Sequence, residues 1–209
     1  MPLIKTMETG NGLLLLWKLT EDLDVLKQKL PASDIGPDFQ KLTHPRRQKE
    51  WLTVRILLQE TGCRPDMLTY SATGQPQLKH EEFKNISISH SDKLAGMALH
   101  KKRAVGLDIE NSTRNFIRVE KKYLSADEIK LARTIPDGHG LFWCIKEAVY
   151  KAGGTPGIRF PDQIRIHVPE KNSFSARLIA DNIRIYQIRH FKIDDQIIVY
   201  LTEEERNDI

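Results

Sequence analysis

The sequence predicts an α+β protein built from two similar halves that join near residue 103. Three observations lead to this class. The order strand, helices, strands occurs twice along the 209 residues. Short apolar or alternating segments mark the strands, and two longer segments with apolar residues at helical spacing mark the principal helices. We therefore divide the chain into an N-terminal part, residues 1–103, and a C-terminal part, residues 104–209.

The first half is expected to begin with a strand and to contain one long helix. Residues 12–19 form an apolar run typical of a buried strand, and residues 21–30 follow at helical spacing. Residues 45–61 predict the long helix, with Trp51 on its apolar face, Arg55 toward its basic side, and Gly62 ending it. Short strands separated by turns are expected at residues 68–70, 86–89, 94–99 and 104–109.

The second half is expected to return to helices and to end in strands. Ser125 and Glu128 have the spacing of a capping box, which marks a helix start. A strong helix is predicted over residues 140–152, ended by the glycine pair at residues 153–154. The remaining strands are expected at residues 164–168, 176–179, 183–191 and 196–202, before a charged tail.

Composition narrows the class of partner. The chain has 32 Lys+Arg against 28 Asp+Glu, so its mild positive charge suits an anionic ligand or an acidic protein. Aromatic residues are only 7% of the chain and are not interleaved with the basic ones, so we do not expect nucleic-acid binding.

Cellular setting is predicted from cysteine usage and hydropathy. The two cysteines, Cys63 and Cys144, lack the spacing of a zinc or redox motif, so we expect a reducing, cytoplasmic setting. The longest apolar run, residues 13–17, is far shorter than the roughly 20 residues of a membrane span. We therefore expect neither export nor membrane attachment.

Two carboxylates are predicted on one face of the strand at residues 104–109 and its end. Alternation directs Gly106, Asp108 and Glu110 to the same side. The two acidic residues then lie about 7 Å apart along the strand. Such a pair suits Mg²⁺, which takes a few carboxylates and leaves its other positions to water and phosphate oxygens. Taken alone, the pattern is more often a solvated strand end.

A second pattern lies on the predicted helix at residues 140–152. Trp143, Glu147 and Lys151 are spaced at i, i+4 and i+8, which places them on one helix face. For any glutamate and lysine at this spacing, the simplest interpretation is a surface ion pair worth about 0.3–0.5 kcal/mol. That interpretation leaves the accompanying carboxylate pair unexplained.

Together the two patterns resemble the signature of Sfp-type 4'-phosphopantetheinyl transferases. That signature is similar to G-x-D-x-E followed by W-x-x-K-E-A-x-x-K, and the chain has G-L-D-I-E at residues 106–110 and W-C-I-K-E-A-V-Y-K at residues 143–151. The resemblance extends over roughly residues 44–158. Further matches in chain order are Arg47 and Arg55, Gly74-Gln75-Pro76, the segment S-I-S-H-S at residues 87–91, and Tyr123-Leu124-Ser125 leading to Glu128.

The resemblance implies a fold and an activity. The fold is a pseudo-dimer of two similar subdomains, each an antiparallel sheet packed on a long helix, with the active site in the cleft between them. The activity is Mg²⁺-dependent transfer of 4'-phosphopantetheine from coenzyme A to a serine of an acyl or peptidyl carrier protein, releasing 3',5'-ADP. We expect a monomer serving lipid or secondary-metabolite biosynthesis, whose basic surface suits the acidic recognition helix of a carrier protein.

The resemblance also implies roles for individual residues. Glu147 is the base for the carrier serine, directly or through a water on the metal, and we expect neither it nor Asp108 to lie in the core. Lys151 lies near the phosphates and stabilises the leaving group. The implied metal ligands are Asp108, Glu110 and Glu147, the implied catalytic residues are Glu147, Lys151 and Asp108, and the implied contacts to coenzyme A are Arg47, Ser89, His90 and Lys151, with His90 at the 3'-phosphate.

Two departures from the family pattern concern coenzyme A binding. Gln75 stands where the family often has lysine, and Thr155 lies where a G-K-G-like stretch is usual. Each departure removes a basic contact or moves it to another residue such as Arg159. The sequence also does not distinguish Mg²⁺ from Mn²⁺, because both accept oxygen ligands.

Two other functions stay open at this point. One is a Mg²⁺-dependent hydrolase that cleaves the pyrophosphate of coenzyme A without an acceptor. The other is a non-catalytic paralogue that only binds carrier proteins. Because transfer and hydrolysis need the same metal-binding face, product analysis with a carrier protein is needed to separate them.

Overall fold

The structure is a computed structural model that describes residues 2–170 and 173–204. The chain divides into two compact units, Met1–Lys102 and Arg103–Ile209. Antiparallel sheets and helices make up both units, so the predicted α+β class is confirmed. The predicted charged tail falls mainly on residues 205–209, which lie outside the described residues.

The first unit is built on a four-stranded antiparallel sheet in the order β1-β2-β6-β5. Helix α3, 16 residues long, packs on the central strands β2 and β6. Apolar side chains of all three elements form its core, among them Leu15, Leu57 and Met97. The helices and strands of this unit are β1 (Leu3–Glu8), β2 (Gly12–Lys18), α1 (Leu23–Gln28), α2 (Pro37–Gln40), α3 (Pro45–Glu60), β3 (Leu68–Tyr70), β4 (Pro76–Leu78), β5 (Asn85–His90) and β6 (Leu94–His100).

Two strands of this unit were not predicted, and one residue assignment was wrong. Strand β1 lies at a sheet edge and alternates between half-buried and exposed residues, so it lacks a continuous apolar run. Strand β4 has only three residues. Arg55 was expected on the basic side of the helix, but it is buried, with its guanidinium 3.3 Å from the centre of the Trp51 ring.

The second unit is built on a five-stranded antiparallel sheet in the order β7-β11-β10-β9-β8. Helix α6, also 16 residues long, packs across β7, β11, β9 and β8, and its apolar face supplies Phe142, Ile145 and Val149 to the core. The helices and strands of this unit are β7 (Val105–Asn111), α4 (Glu120–Tyr123), α5 (Ala126–Ala132), α6 (Gly138–Gly153), α7 (Phe160–Gln163), β8 (Ile164–Glu170), β9 (Ser173–Ile179), β10 (Ile183–Ile193) and β11 (Gln196–Glu203).

The helix boundaries in this unit follow the predicted signals. The Ser125 hydroxyl accepts from the backbone N–H of Glu128, and the Glu128 carboxylate accepts from the backbone N–H of Ser125, so the predicted capping box is confirmed. Gly154 ends α6 in the left-handed conformation at φ 60°, which glycine adopts without steric cost. Within the described part of the chain, no helix is both long and apolar enough to cross a membrane.

Candidate active site

The contact between β7 and α6 brings the two sequence patterns together. Gly106, Asp108 and Glu110 alternate along β7. A Cβ atom placed on Gly106 would lie 2.1 Å from the carbonyl oxygen of Ala148 on α6. The missing side chain therefore lets the helix approach the strand closely, which sets the two acidic residues of β7 beside the helix face of Glu147 and Lys151.

Asp108 is buried and bound to the predicted helix lysine. Its residue exposure is only 5%, so the expectation that it lies outside the core was wrong. Lys151 Nζ donates to Asp108 Oδ1 at 2.7 Å and to the carbonyl oxygen of Leu107 at 3.0 Å. The lysine thus crosses from α6 to β7, and the ammonium group balances a carboxylate that burial would otherwise destabilise.

Glu110, near the C-terminal end of β7, is held by two hydrogen-bond donors. Trp143 Nε1 on α6 donates to Glu110 Oε1 at 3.0 Å. Arg114 forms an ion pair with the same oxygen, and its guanidinium lies 4.8 Å from the centre of the Trp143 ring. Glu110 is therefore fixed between the indole N–H of Trp143 and the guanidinium of Arg114, and that guanidinium also lies over the indole ring.

Glu147 is a carboxyl group whose pKa is strongly raised by its surroundings. Burial above all, together with the negative charges of Asp108 and Glu110, raises the pKa of its carboxyl from the ordinary 4.5 to about 7, and Lys151 opposes the shift. Three carboxylates therefore act on one another within this small region. Such mutual repulsion is relieved by a bound cation.

The three carboxylates have the ligand chemistry of the Mg²⁺ that the sequence predicts. Mg²⁺ favours oxygen ligands and is held by a small number of carboxylates together with waters and substrate phosphates. Asp108, Glu110 and Glu147 supply that chemistry. Across residues 2–170 and 173–204, no three acidic, histidine or cysteine side chains are arranged as a ready ligand set. The donor chemistry fits the ion, while Asp108 is bound here to Lys151, and Glu110 to Arg114 and Trp143.

Cys144 lies next to these groups without being reactive. It is fully buried on α6 near Asp108 and Glu110. Burial raises the pKa of Cys144 well above its ordinary value, and Asp108 and Glu110 raise it further. The thiol therefore stays protonated at neutral pH and does not provide a nucleophile.

Two of the three predicted contacts of the first unit, Arg47 and His90, line a pocket of about 360 Å³, whereas Ser89 does not. Arg47 from α3 and His90 from the end of β5 line this pocket, together with Glu50, Tyr70 and Pro76. Ser89, the neighbour of His90, is buried. The structure therefore brings Arg47 and His90 to one pocket, as a shared role in binding a ligand requires.

The departures near Gln75 and Thr155 have different surroundings. Gln75 is exposed in the turn beside the pocket. Arg159 forms an ion pair with Asp162 at 2.8 Å. The basic residue that reaches Thr155 is Arg184, whose Nη2 lies 3.0 Å from the Thr155 hydroxyl and donates to the carbonyl oxygen of Gly153 at 2.9 Å. Arg184, rather than Arg159, is therefore the basic residue in contact with Thr155.

Sequence reasoning missed two residues that shape these sites. Arg114 follows Glu110 by four residues, but the segment between them leaves the strand, so spacing alone does not indicate contact. Glu50 follows Arg46 and Arg47 by four and three residues on α3, which is the spacing of helical ion pairs. That signal was present in the sequence and indicates the acceptor for both arginines.

A family model matches the second half of the chain. The family model of the 4'-phosphopantetheinyl transferase superfamily matches residues 104–204. A search of curated proteins found no match. The matched span contains Asp108, Glu110, Glu147 and Lys151, so the second unit is similar to a domain of this transferase superfamily.

Proposed function

We propose that this protein is an Sfp-type 4'-phosphopantetheinyl transferase. It transfers the 4'-phosphopantetheine group of coenzyme A to a serine of an acyl or peptidyl carrier protein and releases 3',5'-ADP, acting with Mg²⁺ as a cytoplasmic monomer. The location of the site in a cleft between the two predicted halves stays a prediction.

One observation carries the proposal. The β7–α6 contact sets three carboxylates and Lys151 together, and this contact lies within the span that is similar to the transferase superfamily. The group is suited to holding a divalent cation against a pyrophosphate, because the carboxylates supply its ligands and the lysine supplies a second cation for phosphate oxygens.

The transfer step exchanges one phosphorus–oxygen bond for another. The serine oxygen attacks the phosphorus that carries the pantetheine arm, and the bond from that phosphorus to the bridging oxygen of the pyrophosphate breaks. Asp108, Glu110 and Glu147 would hold Mg²⁺, which when bound supplies charge neutralisation at the phosphates. Glu147 takes the serine proton, and Lys151 stabilises the charge that develops on the leaving 3',5'-ADP.

We assign part of the binding of coenzyme A, the phosphopantetheine donor, to the first unit. Arg47 and His90 line a common pocket and carry groups suited to a phosphate. We assign them, with Ser89, to the phosphates of coenzyme A, and His90 to the 3'-phosphate. The mild excess of basic residues suits the acidic recognition surface of a carrier protein.

Intact-mass spectrometry of an apo carrier protein tests the proposal. The carrier is incubated with this protein, coenzyme A and Mg²⁺, in parallel with a reaction containing EDTA. We expect a mass gain equal to one phosphopantetheine group, together with release of 3',5'-ADP, only when the metal is present. Cleavage of coenzyme A with an unchanged carrier would instead identify a hydrolase, and binding of the carrier without either product would identify a non-catalytic paralogue.

A further inference from the structure

We propose that Glu50 is a positioning residue that holds Arg47 and His90 for the phosphate monoester of the donor, and so determines selection of coenzyme A over its 3'-dephospho form. The inference rests on the proposed function, because it assumes that the pocket of the first unit receives coenzyme A. It adds a residue to which neither sequence pattern nor family match assigns a role.

The carboxylate of Glu50 is the common acceptor of the two arginines at the start of α3. Its side chain is 6% exposed, whereas those of Arg46 and Arg47 are 52% and 64% exposed. Arg46 Nε donates to Glu50 Oε1 at 2.9 Å, and Arg47 Nη1 donates to Glu50 Oε2 at 3.2 Å. His90 Nδ1 lies 3.2 Å from Glu50 Oε1. Both oxygens of one buried carboxylate therefore accept hydrogen bonds from arginines of α3, and the ring of His90 from β5 lies beside one of them.

The position of the arginines on their helix indicates an anion site. Arg46 and Arg47 lie in the first turn of α3, where no acidic residue occurs. Cations at a helix N-terminus are unfavourable, because that end carries partial positive charge from its free N–H groups. A bound anion would offset this cost. Glu50 is the carboxylate that offsets it in the protein alone, from one turn further along the helix.

An acidic side chain in a pocket for an anion requires an explanation, because it repels the ligand. The explanation is orientation. An arginine has five N–H donors, and the contact of Arg47 Nη1 with Glu50 leaves its remaining donors for a ligand. A carboxylate oxygen 3.2 Å from Nδ1 likewise restricts the orientation of the His90 ring. Glu50 thus sets the direction of two side chains that would otherwise be mobile in solvent.

The charge of the cluster matches a phosphate monoester. With His90 protonated, Arg46, Arg47 and His90 carry three positive charges against one negative charge on Glu50. The remaining two positive charges equal the charge of about −1.5 to −2 that a phosphate monoester carries near pH 7. Coenzyme A has one monoester, the 3'-phosphate, and its dephospho form lacks it.

The test measures kcat/KM of the wild type and of the Glu50→Gln variant with two donors, coenzyme A and 3'-dephospho-coenzyme A. The side chain keeps its size but loses its charge and one acceptor, so the cations of the cluster compete for a single oxygen. We expect kcat/KM for coenzyme A to fall about 10- to 100-fold, the range of one or two charge-assisted hydrogen bonds. The loss is expected in KM, with kcat within about twofold, since the monoester lies away from the reacting phosphorus.

Transfer from 3'-dephospho-coenzyme A is the internal control. We expect kcat/KM for this donor to change by less than about threefold, because it has no monoester for the cluster to bind. Glu60→Gln, an exposed glutamate on the same helix, should leave both donors unaffected. Equal losses for both donors in Glu50→Gln, or a wild-type protein that uses both donors equally well, would overturn the inference.

A double-mutant cycle tests whether Glu50→Gln alters donor choice through its basic partners or through a general effect on folding. In a background in which Arg46, Arg47 and His90 are all replaced by alanine, Glu50→Gln should no longer change the ratio of the two donors, since its targets are gone. If Glu50→Gln proves too unstable, Glu50→Asp keeps the charge and withdraws it by one methylene, and an intermediate ratio is expected. Failure of the wild-type protein to form holo-carrier with either donor would contradict the proposed function itself.

Discussion

Asp108 depends on Lys151 for its charge balance. The carboxylate side chain is 7% exposed and the lysine 30% exposed, with 2.7 Å between Oδ1 and Nζ. Removing one partner from such a pair leaves a buried charge without compensation, which costs more than the pair itself contributes. This ion pair therefore belongs both to the stability of the protein and to the proposed chemistry.

Lys151→Met should separate those two roles. We expect the free energy of unfolding to fall by about 1–3 kcal/mol, less than for a fully buried pair because the lysine is partly exposed. Urea denaturation followed by circular dichroism measures this loss. Transfer should also be lost, since the variant has no cation at this position for the leaving group.

Two further variants control this prediction. Lys192→Met removes an exposed pair with Asp137 and should cost below about 1 kcal/mol. Adding Asp108→Asn to Lys151→Met should recover most of the lost stability, because no unpaired charge remains, while transfer stays absent. A Lys151→Met protein as stable as the wild type would contradict this account of the pair.

At the scale of elements, the site depends on how closely α6 approaches β7. Gly106 faces the helix backbone, and a Cβ atom there would overlap the carbonyl oxygen of Ala148 at 2.1 Å. Backbone cannot yield as a flexible side chain does, so a larger residue must move the helix. Glu147 and Lys151 would move with it.

Gly106→Ala should therefore reduce both stability and transfer. We expect a loss of at least about 1–3 kcal/mol in the free energy of unfolding, the usual range for overpacking. Gly36→Ala is the matched control, because it has no atom within 4 Å of the added Cβ and should change stability by less than about 1 kcal/mol. Thermal melts and the carrier mass assay give both readouts, and unchanged transfer in Gly106→Ala would show that the close approach is not required.

A second junction of elements lies on the far side of α6. Lys146 has no exposed side-chain surface and donates to the Glu128 carboxylate at 2.7 Å and to the carbonyl oxygens of Phe160 and Ile164. Glu128 also completes the cap of α5 and accepts from the backbone N–H of Ile166 on β8. One carboxylate thus joins α5, α6 and β8, and it fixes the helix that carries Glu147.

Glu128→Gln should destabilise the protein without touching the reacting groups. We expect a loss of about 2–3 kcal/mol, because the buried ammonium of Lys146 would keep only neutral partners. Asp127→Asn, at the adjacent position in an exposed pair with Lys130, should stay within about 0.5 kcal/mol of the wild type. Chemical denaturation distinguishes the two, and equal stability of both variants would exclude the junction as a stabilising element.

At the scale of the whole molecule, the sequence predicted the elements well where one physical signal dominates. Residues 45–61 were predicted as a helix and form α3, and residues 140–152 were predicted and form the centre of α6. Gly62 and Gly154 end these helices in the left-handed region, as the glycine signal indicates. Strand β1 was missed because an edge strand needs only one buried face, which polar residues interrupt.

The candidate site was less predictable from sequence. Strand alternation predicted that Asp108 and Glu110 share one face of a strand, and helical spacing predicted that Glu147 and Lys151 share one face of a helix. Neither pattern predicts which elements pack against each other. The pairing of Lys151 with Asp108 and the burial of Asp108 both arise from the close packing that Gly106 allows. Arg114 lies in an irregular segment after β7, where side chains follow neither strand nor helix spacing, so its contact with Glu110 could not be predicted.

The two units contribute differently to the proposed function. Similarity to the transferase superfamily covers residues 104–204 in the second unit, where the predicted metal ligands lie. The first unit carries the pocket of Arg47, Glu50 and His90. We therefore expect substitutions in the second unit to abolish transfer from every donor, and substitutions in the pocket to alter the choice among donors.

The rate of holo-carrier formation by Glu147→Gln, measured by intact-mass spectrometry with Mg²⁺, tests the central claim most directly. Glu170→Gln, an exposed glutamate of the same unit, is the control. We predict loss of at least about 100-fold in the rate for Glu147→Gln, the scale of a general base, with a circular dichroism spectrum and melting curve close to those of the wild type. Wild-type transfer by a folded Glu147→Gln protein would contradict the account.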